Sequence, residues 1–267
     1  MNRIEIVGAA GAGKSTLYNA LVKKRNSTQH WLTPTEARIE IAKSIMKDDT
    51  RYRKYLLFPG LKIPSLATSI VNRVLKNEYK KSIWDYNNEW QHLIHSLLMN
   101  ITFPSNESLR ILYRYSWLLA RMEEAALYEK YLPDRCILLE EPIFHKLTNI
   151  IILFNKDQTE KIANSLFSKT PLPYGIIHVS ADPELIYNRL SLREKNAHDW
   201  MLGFRDYDTD TLFDMVVNSI KVIDIGVQVM KERGVEVLDL QASEEVDIKV
   251  DKVNRFMHGI SQHRMSK

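Results

Sequence analysis

The chain has 267 residues, enough for one large domain or two small ones. Hydrophobic residues make up 45% and charged residues 26%, which excludes a disordered, collagen-like or low-complexity chain. With 37 Lys+Arg against 33 Asp+Glu the net charge is only +4, without the dense basic stripe of a dedicated nucleic-acid binder.

A β-rich run at Ile4 to Val7 enters a Gly/Ala stretch and leaves through Lys14 to Val22, where Leu17, Ala20 and Leu21 repeat at helical spacing. A second short strand is predicted at Gln29 to Leu32, closed by Thr33-Pro34. From Glu36 to about Leu132 the pattern is helical, with breaks at Pro59-Gly60, Pro64 and Pro104 and a turn at Pro133-Asp134. Cys136 to Leu139 reads as a buried strand that ends in Glu140-Glu141-Pro142. Ile176 to Ser180 is the next strand, and Asp182-Pro183-Glu184 opens a helix with proline at an early position. A helix from about Thr211 to Arg233 stops at Gly234, and Val235 to Leu240 supplies the last strand.

Short apolar strands alternating with helices predict an α/β protein whose parallel sheet is covered on both faces. The helical stretch between the second and third strands is too long for a simple crossover and is expected to form a subdomain on the same core. The tail from Met257 is expected to be poorly ordered, and no internal repeat is present. Cys136 is the single cysteine, so no intramolecular disulfide can form and a reducing, cytoplasmic setting is expected. No signal-peptide core stands at the N-terminus. The longest strongly apolar run, Ile150 to Phe154, is far short of the roughly 20 residues that span a bilayer.

Gly8, Gly11 and Gly13 are three of only nine glycines. Gly8 to Ser15 fits G-x-x-x-x-G-K-[ST] without substitution, between a predicted strand and a predicted helix. Small residues let the backbone curl so that N–H groups from Ala9, Ala10, Gly11, Ala12, Gly13, Lys14, Ser15 and Thr16 converge on phosphate oxygens. The helix N-terminus adds its positive end. Lys14 is expected to reach the β- and γ-phosphates, and the Ser15 hydroxyl to ligate Mg²⁺. A GTPase reading requires a D-x-x-G switch, which occurs nowhere, and an N-K-x-D motif. In Asn155-Lys156-Asp157-Gln158, glutamine stands where the guanine-reading aspartate belongs, and Asp157 to Glu160 fits a helix start.

On this loop and this order of elements, the chain resembles the P-loop kinase superfamily, particularly its thymidylate-kinase-like, nucleoside-kinase-like and nicotinamide-riboside-kinase-like branches. The resemblance spans most of the chain, and the loop is its specific motif. It implies a P-loop NTPase three-layer fold with a five-stranded parallel sheet, as one domain over 1–267. A helical substrate-binding insertion is expected at about 36–132 and a lid at about 189–207. It also implies ATP and Mg²⁺ as cofactors.

Three constellations acquire roles through that resemblance. Glu140 and Glu141 close a strand where such enzymes hold Mg²⁺ with a carboxylate, and Glu141 is also a candidate contact to substrate. Glu36-Ala37-Arg38 follows the second strand, where an acidic residue accepts the proton of the acceptor hydroxyl and an arginine stands by. Arg189 and Arg193 lie four apart on one helix face, and the resemblance makes them lid arginines over the transferring phosphoryl group. The neighbouring Asn196 to Gly203 stretch fits a mobile loop.

Other signals are weaker. Arg110 and Arg114 share a helix face with Arg121 near it; similar arginines contact the acceptor in the resembling kinases, but a surface helix explains them better. Glu89, His92 and His95 offer E-x-x-H-x-x-H, but His95 is swung about 240° from Glu89, and no second E-x-x-H helix exists. The five tryptophans fit core or rim packing, and Lys23-Lys24-Arg25 and Lys80-Lys81 fit solvated faces.

The expectation is an ATP-dependent phosphotransferase acting on a hydroxyl or phosphate of a nucleoside, nucleotide or sugar-like metabolite. Its partner is a small-molecule acceptor rather than a membrane or nucleic acid, with a homodimer left open. The alternatives are a nucleotide-dependent regulatory protein, switched as an ATPase or GTPase, and a polynucleotide 5′-hydroxyl kinase.

Overall fold

A computed structural model describes residues 3–26, 31–48, 64–86, 88–100, 108–140, 142–154, 156–192 and 209–265. The first strand, β1 (Arg3–Val7), is buried at every position, as a central strand covered on both faces must be. β3 (Cys136–Leu139) and β4 (Gly175–Ser180) flank it, with Ile4 opposite Leu138 on one side and Gly175 on the other. β2 (Trp31–Leu32) and β5 (Glu236–Gln241) form the edges. The sheet is five-stranded in the order β2-β3-β1-β4-β5, and every pairing is parallel.

Helices cover both faces. On one, α1 (Lys14–Lys24) packs Leu17 and Leu21 in the same core as Val250, Val253 and Met257 of the last helix, α10 (Val246–Met265). On the other, α5 (Ser108–Tyr131), α6 (Ile143–Ile151), α7 (Lys156–Phe167), α8 (Pro183–Ser191) and α9 (Thr209–Glu232) share one core. Phe144 and Phe167 stack at its centre, 4.4 Å between ring centroids. The helical stretch predicted after the second strand consists of α2 (Pro34–Asp48), α3 (Pro64–Tyr86), α4 (Asn88–Asn100) and α5. Ile41, Met46, Val74 and Leu75 of α2 and α3 pack with Ile137 of β3.

Local signals explain the boundaries. The Asp182 side chain accepts a hydrogen bond from the Glu184 N–H (2.8 Å) and Pro183 occupies the first turn, so α8 begins where its sequence places it. One expectation is corrected: Met257 does not start a loose tail. Val250, Val253, Met257 and Ile260 recur on one face of α10, are all buried, and carry the helix to Met265. The second strand includes only Trp31 and Leu32; Gln29 and His30 lie outside the described residues. The proposed lid is described only as far as Leu192. Among the described residues no helix is long and apolar enough to cross a membrane.

At the amino end of β1, Arg3 is 1% exposed. Its guanidinium donates to Glu5 (2.6 Å), Glu129 of α5 (3.0 Å) and the Pro171 carbonyl (2.5 Å), and lies 5.2 Å from the Trp90 ring centroid. Glu129 also accepts from the Trp90 indole (3.2 Å), and Glu5 accepts from the Phe144 N–H (3.4 Å). This network therefore ties β1 to α4, α5 and the first turn of α6.

Candidate nucleotide-binding site

The chain leaves β1 toward β2, beyond β3, and leaves β3 toward β4, beyond β1. These opposite departures open a crevice at the carboxyl ends of β1 and β3, the position where parallel sheets bind ligands. The loop from Gly8 to Gly13 forms its floor. At Gly8 (φ +151°) a Cβ would lie 2.4 Å from the Val179 carbonyl oxygen, so only glycine lets the loop cross β4 this closely. Gly13 (φ +95°) sits in the left-handed region immediately before α1. No side chain caps that helix and no acid lies in its first turn, leaving its N-terminal dipole available to an anion.

The loop's cation is already folded inward: Lys14 Nζ donates to the Gly8 (2.7 Å) and Ala9 (2.9 Å) carbonyls. Arg189 of α8 donates to the Gly11 carbonyl (3.0 Å), so its charge rests on the cradle. Above the loop lies a cavity of about 940 Å³, lined by Gly11, Lys14, Ser15, Thr16, Glu140 and Arg189 among others. Its volume suits a nucleotide with room for a second small molecule.

Two walls differ in origin. On the β5 side, Ala242, Glu244, Val246 and Lys249 line the cavity. Lys249 donates to the Ala242 carbonyl (3.2 Å) and Glu244 pairs with Lys252. The opposite wall comes from α5 (Trp117, Ala120, Arg121) and α6 (His145, Lys146, Asn149). Lys146 is 8% exposed, its ammonium 5.1 Å from the Trp117 ring centroid. The Nδ1 of His145 is buried without a hydrogen-bond partner. Burial, reinforced by the charges of Lys14, Lys146 and Arg114, pushes its imidazole well below the ordinary histidine range, so it is neutral at physiological pH.

A smaller cavity of about 200 Å³ shares Arg121 and Glu140 with the larger one and adds Tyr18, Glu124 and Tyr128. Arg121 pairs with Glu124 (2.6 Å), which also accepts from the Tyr128 hydroxyl (2.7 Å). Burial, with the charges of Glu140 and Glu36, pushes the Tyr18 phenol up to about 12.

The predicted residues separate accordingly. Lys14, Ser15, Thr16, Glu140 and Arg189 come together around the cavity with the loop backbone. Glu141 and Arg193 lie outside the described residues, as do the Asn196 to Gly203 stretch and the Arg110 side chain. Glu36 takes a different part from the proton acceptor expected of it. It forms a capping box with Thr33, accepting from the Thr33 N–H (2.8 Å) while its own N–H donates to the Thr33 hydroxyl (3.2 Å). Arg25 grips the same carboxylate with both terminal nitrogens. Hydrogen bonding from Arg25, helped by Thr33 against the opposing effect of burial, holds the Glu36 carboxyl down to about 2. So committed, it has little basicity left.

Arg38 donates to the Asn72 side chain of α3 and is not among the residues lining the cavity. Arg114 donates to the Asn149 backbone carbonyl and so braces α6 instead of lining the cavity. Glu89, His92 and His95 are all exposed, and no cluster of metal-binding side chains occurs among the described residues. His145, Lys146, Asn149 and Lys249 line the cavity although no sequence motif marks them. Their signal was positional: the first two stand in the opening turn of the helix that follows Glu140-Glu141-Pro142, and Lys249 in the opening turn after β5.

Strand order, cradle and strand-end carboxylate define an α/β protein with a five-stranded parallel sheet and a phosphate-loop motif between its first strand and first helix. A family model described as a 50S ribosome-binding GTPase matches residues 3–100, the stretch that includes the loop. No curated protein matches the chain. Among solved structures, the chain is similar to a deoxyadenosine kinase from M. mycoides with products dCMP and a flexible dCDP bound. The identity is 9% and the TM-score 0.48, over 96% of this chain and 99% of that one. The same enzyme with bound dATP matches at 11% identity and a TM-score of 0.43, over the same shares.

Proposed function

We propose that this protein is an ATP- and Mg²⁺-dependent phosphotransferase acting on a small molecule. The observation that carries the reading is the cavity itself, in which loop, Lys14, Ser15, Glu140 and Arg189 surround space for two ligands. The loop backbone and Lys14 hold the β- and γ-phosphates of the donor. Ser15 and Glu140 supply hard oxygen donors of the kind Mg²⁺ takes, and the bound ion would neutralise charge on the phosphate oxygens. Arg189, already on the loop, stabilises negative charge as the phosphoryl group moves, with little reorganisation. The β5 wall accommodates the donor's base, and the α5/α6 wall faces the acceptor.

The match to a GTPase model supports a second reading, a guanine-nucleotide switch. That match ends before Asn155, and Gln158 stands in place of the base-reading aspartate. Incubation with Mg²⁺, ATP or GTP, and panels of nucleosides, nucleotides and sugar phosphates separates the readings. The proposal expects a phosphorylated small molecule formed with ADP release. GTP hydrolysis without any phosphorylated acceptor would favour the switch.

A further inference from the structure

His145 has no part in the reaction as proposed above, yet its ring stands in the cavity wall. It occupies the first turn of α6, shortly after the strand-end Glu140. That turn is held firmly: Phe144 donates its N–H to Glu5 (3.4 Å) and stacks on Phe167, and Lys146 on the other side is buried. The His145 Nδ1 is closed off from solvent and has no hydrogen-bond partner among the described residues. Nε2 is therefore the nitrogen that a molecule in the cavity can meet. A proton on Nδ1 would be buried with nothing to receive it, whereas one on Nε2 can be solvated or bound. Full protonation would bury that same unmatched Nδ1–H and add a cation close to Lys14. The ring thus offers the cavity a neutral donor and is poorly suited to accept a proton.

We infer that His145 is a catalytic residue, whose Nε2–H donates a hydrogen bond to an oxygen of the phosphoryl group as it passes from donor to acceptor. The inference rests on the phosphotransferase reading and adds a residue to it. The place of the ring carries it. His145 belongs to the α5/α6 wall of a cavity it shares with Lys14, Ser15 and Arg189. Of the three cations whose charge reaches the ring, Lys14 acts most strongly, ahead even of the adjacent Lys146. The ring therefore lies toward the phosphate end of the cavity, where the γ-phosphate of the proposed donor would rest on Lys14. It moves no proton and forms no covalent bond. Its part is to supply one fixed donor to the equatorial oxygens over which the transferring charge is spread, with no reorganisation at the moment of reaction.

The test uses the full chain with Mg²⁺ and ADP, and tetrafluoroaluminate as the mimic of a phosphoryl group in transit. Calorimetry should show ADP bound more tightly when the mimic is present, as transition-state analogues are. His145→Phe keeps a flat ring without a donor and should cut that gain by about tenfold or more, the scale of a hydrogen bond to a charged group. Affinity for ADP alone should stay within about twofold of wild type, the two states differing only in the mimic. His145→Gln, which carries an N–H near the place of Nε2, should keep most of the gain. No gain in the wild type, or a gain on which Phe and Gln act alike, overturns the inference. If the variants do not fold, nitrogen NMR of the wild type decides. One of the eight histidine rings should remain a neutral Nε2–H tautomer at about pH 5.5, where an ordinary histidine is protonated. Its Nε2–H signal should move when tetrafluoroaluminate joins ADP. The absence of such a ring, or a signal indifferent to the mimic, overturns the inference. Either failure in a protein that still phosphorylates a small molecule leaves the phosphotransferase reading intact. The expected signals with no acceptor ever phosphorylated would keep this contact in a nucleotide hydrolase and bring down that reading.

Discussion

The two ends of β1 handle buried positive charge in opposite ways. At the amino end, Arg3 is closed in by Glu5, Glu129, the Pro171 carbonyl and the Trp90 ring, so the guanidinium is satisfied within the protein. At the carboxyl end, Lys14, Arg121, Lys146, Arg189 and Lys249 are set around an open cavity whose carboxylates are Glu140 and Glu244. The first network is completed by carboxylates inside the fold, whereas around the cavity backbone carbonyls hold Lys14, Arg189 and Lys249, and Glu124 holds Arg121. Glu5 joins the two regions, because it meets Arg3 and also accepts from the first turn of α6, the helix that carries His145 and Lys146.

Breaking the closed end should have the largest effect on stability. Arg3→Met leaves Glu5 and Glu129 buried without their cation, a loss of roughly 3–5 kcal/mol. Urea unfolding monitored by tryptophan fluorescence would read it, with nucleotide binding retained below the new midpoint. Strain on the open end is the next step down. Gly8→Ala pushes a methyl group against the Val179 carbonyl and should cost roughly 1–3 kcal/mol, expressed mainly as weaker nucleotide binding. A variant with wild-type affinity in a fluorescent-ATP titration would show that the loop does not need this close crossing.

The smallest effect belongs to Glu36, which lies at neither end. Glu36→Gln should lower stability by about 1 kcal/mol near neutral pH, through loss of the capping box and the half-exposed pair with Arg25. The sign of the pH dependence follows from its depressed carboxyl. The contribution of Glu36 is complete above about 4.5, where the unfolded chain is ionised, and disappears as pH falls through about 2. Paired thermal melts of wild type and variant should converge across that window. A gap that persists at the acid end would remove Glu36 from the account of acid lability.

The difference between the regions also decides what the sequence made legible. The open end is written locally: Gly8 to Ser15 form one continuous motif, and Glu140 falls at the end of a short apolar strand. The parallel sheet could be read from short apolar runs separated by helices, because strands buried on both faces have no polar alternation. The α5/α6 wall of the cavity is written over distance. Trp117 and Arg121 meet His145 and Lys146 only because α5 and α6 pack together, and neither segment signals the other. Glu36 misled for a related reason. Thr33-Pro34-Thr35-Glu36 is a capping-box sequence, and that local hydrogen bonding, with Arg25 arriving from the end of α1, claimed the carboxylate. The Val250-Val253-Met257-Ile260 stripe was readable as helix, but the polar residues after it obscured how far the helix ran.

The most direct measurement is the affinity of Lys14→Ala for a fluorescent ATP analogue with Mg²⁺, beside a thermal melt of the same sample. The proposed cradle at the open end of β1 predicts a loss of about 100-fold or more with the melting temperature nearly unchanged, because Lys14 lines the cavity and its ammonium bonds only the loop's own Gly8 and Ala9 carbonyls among the contacts described above. Unchanged affinity in a folded variant would contradict the assignment of this loop as the nucleotide site.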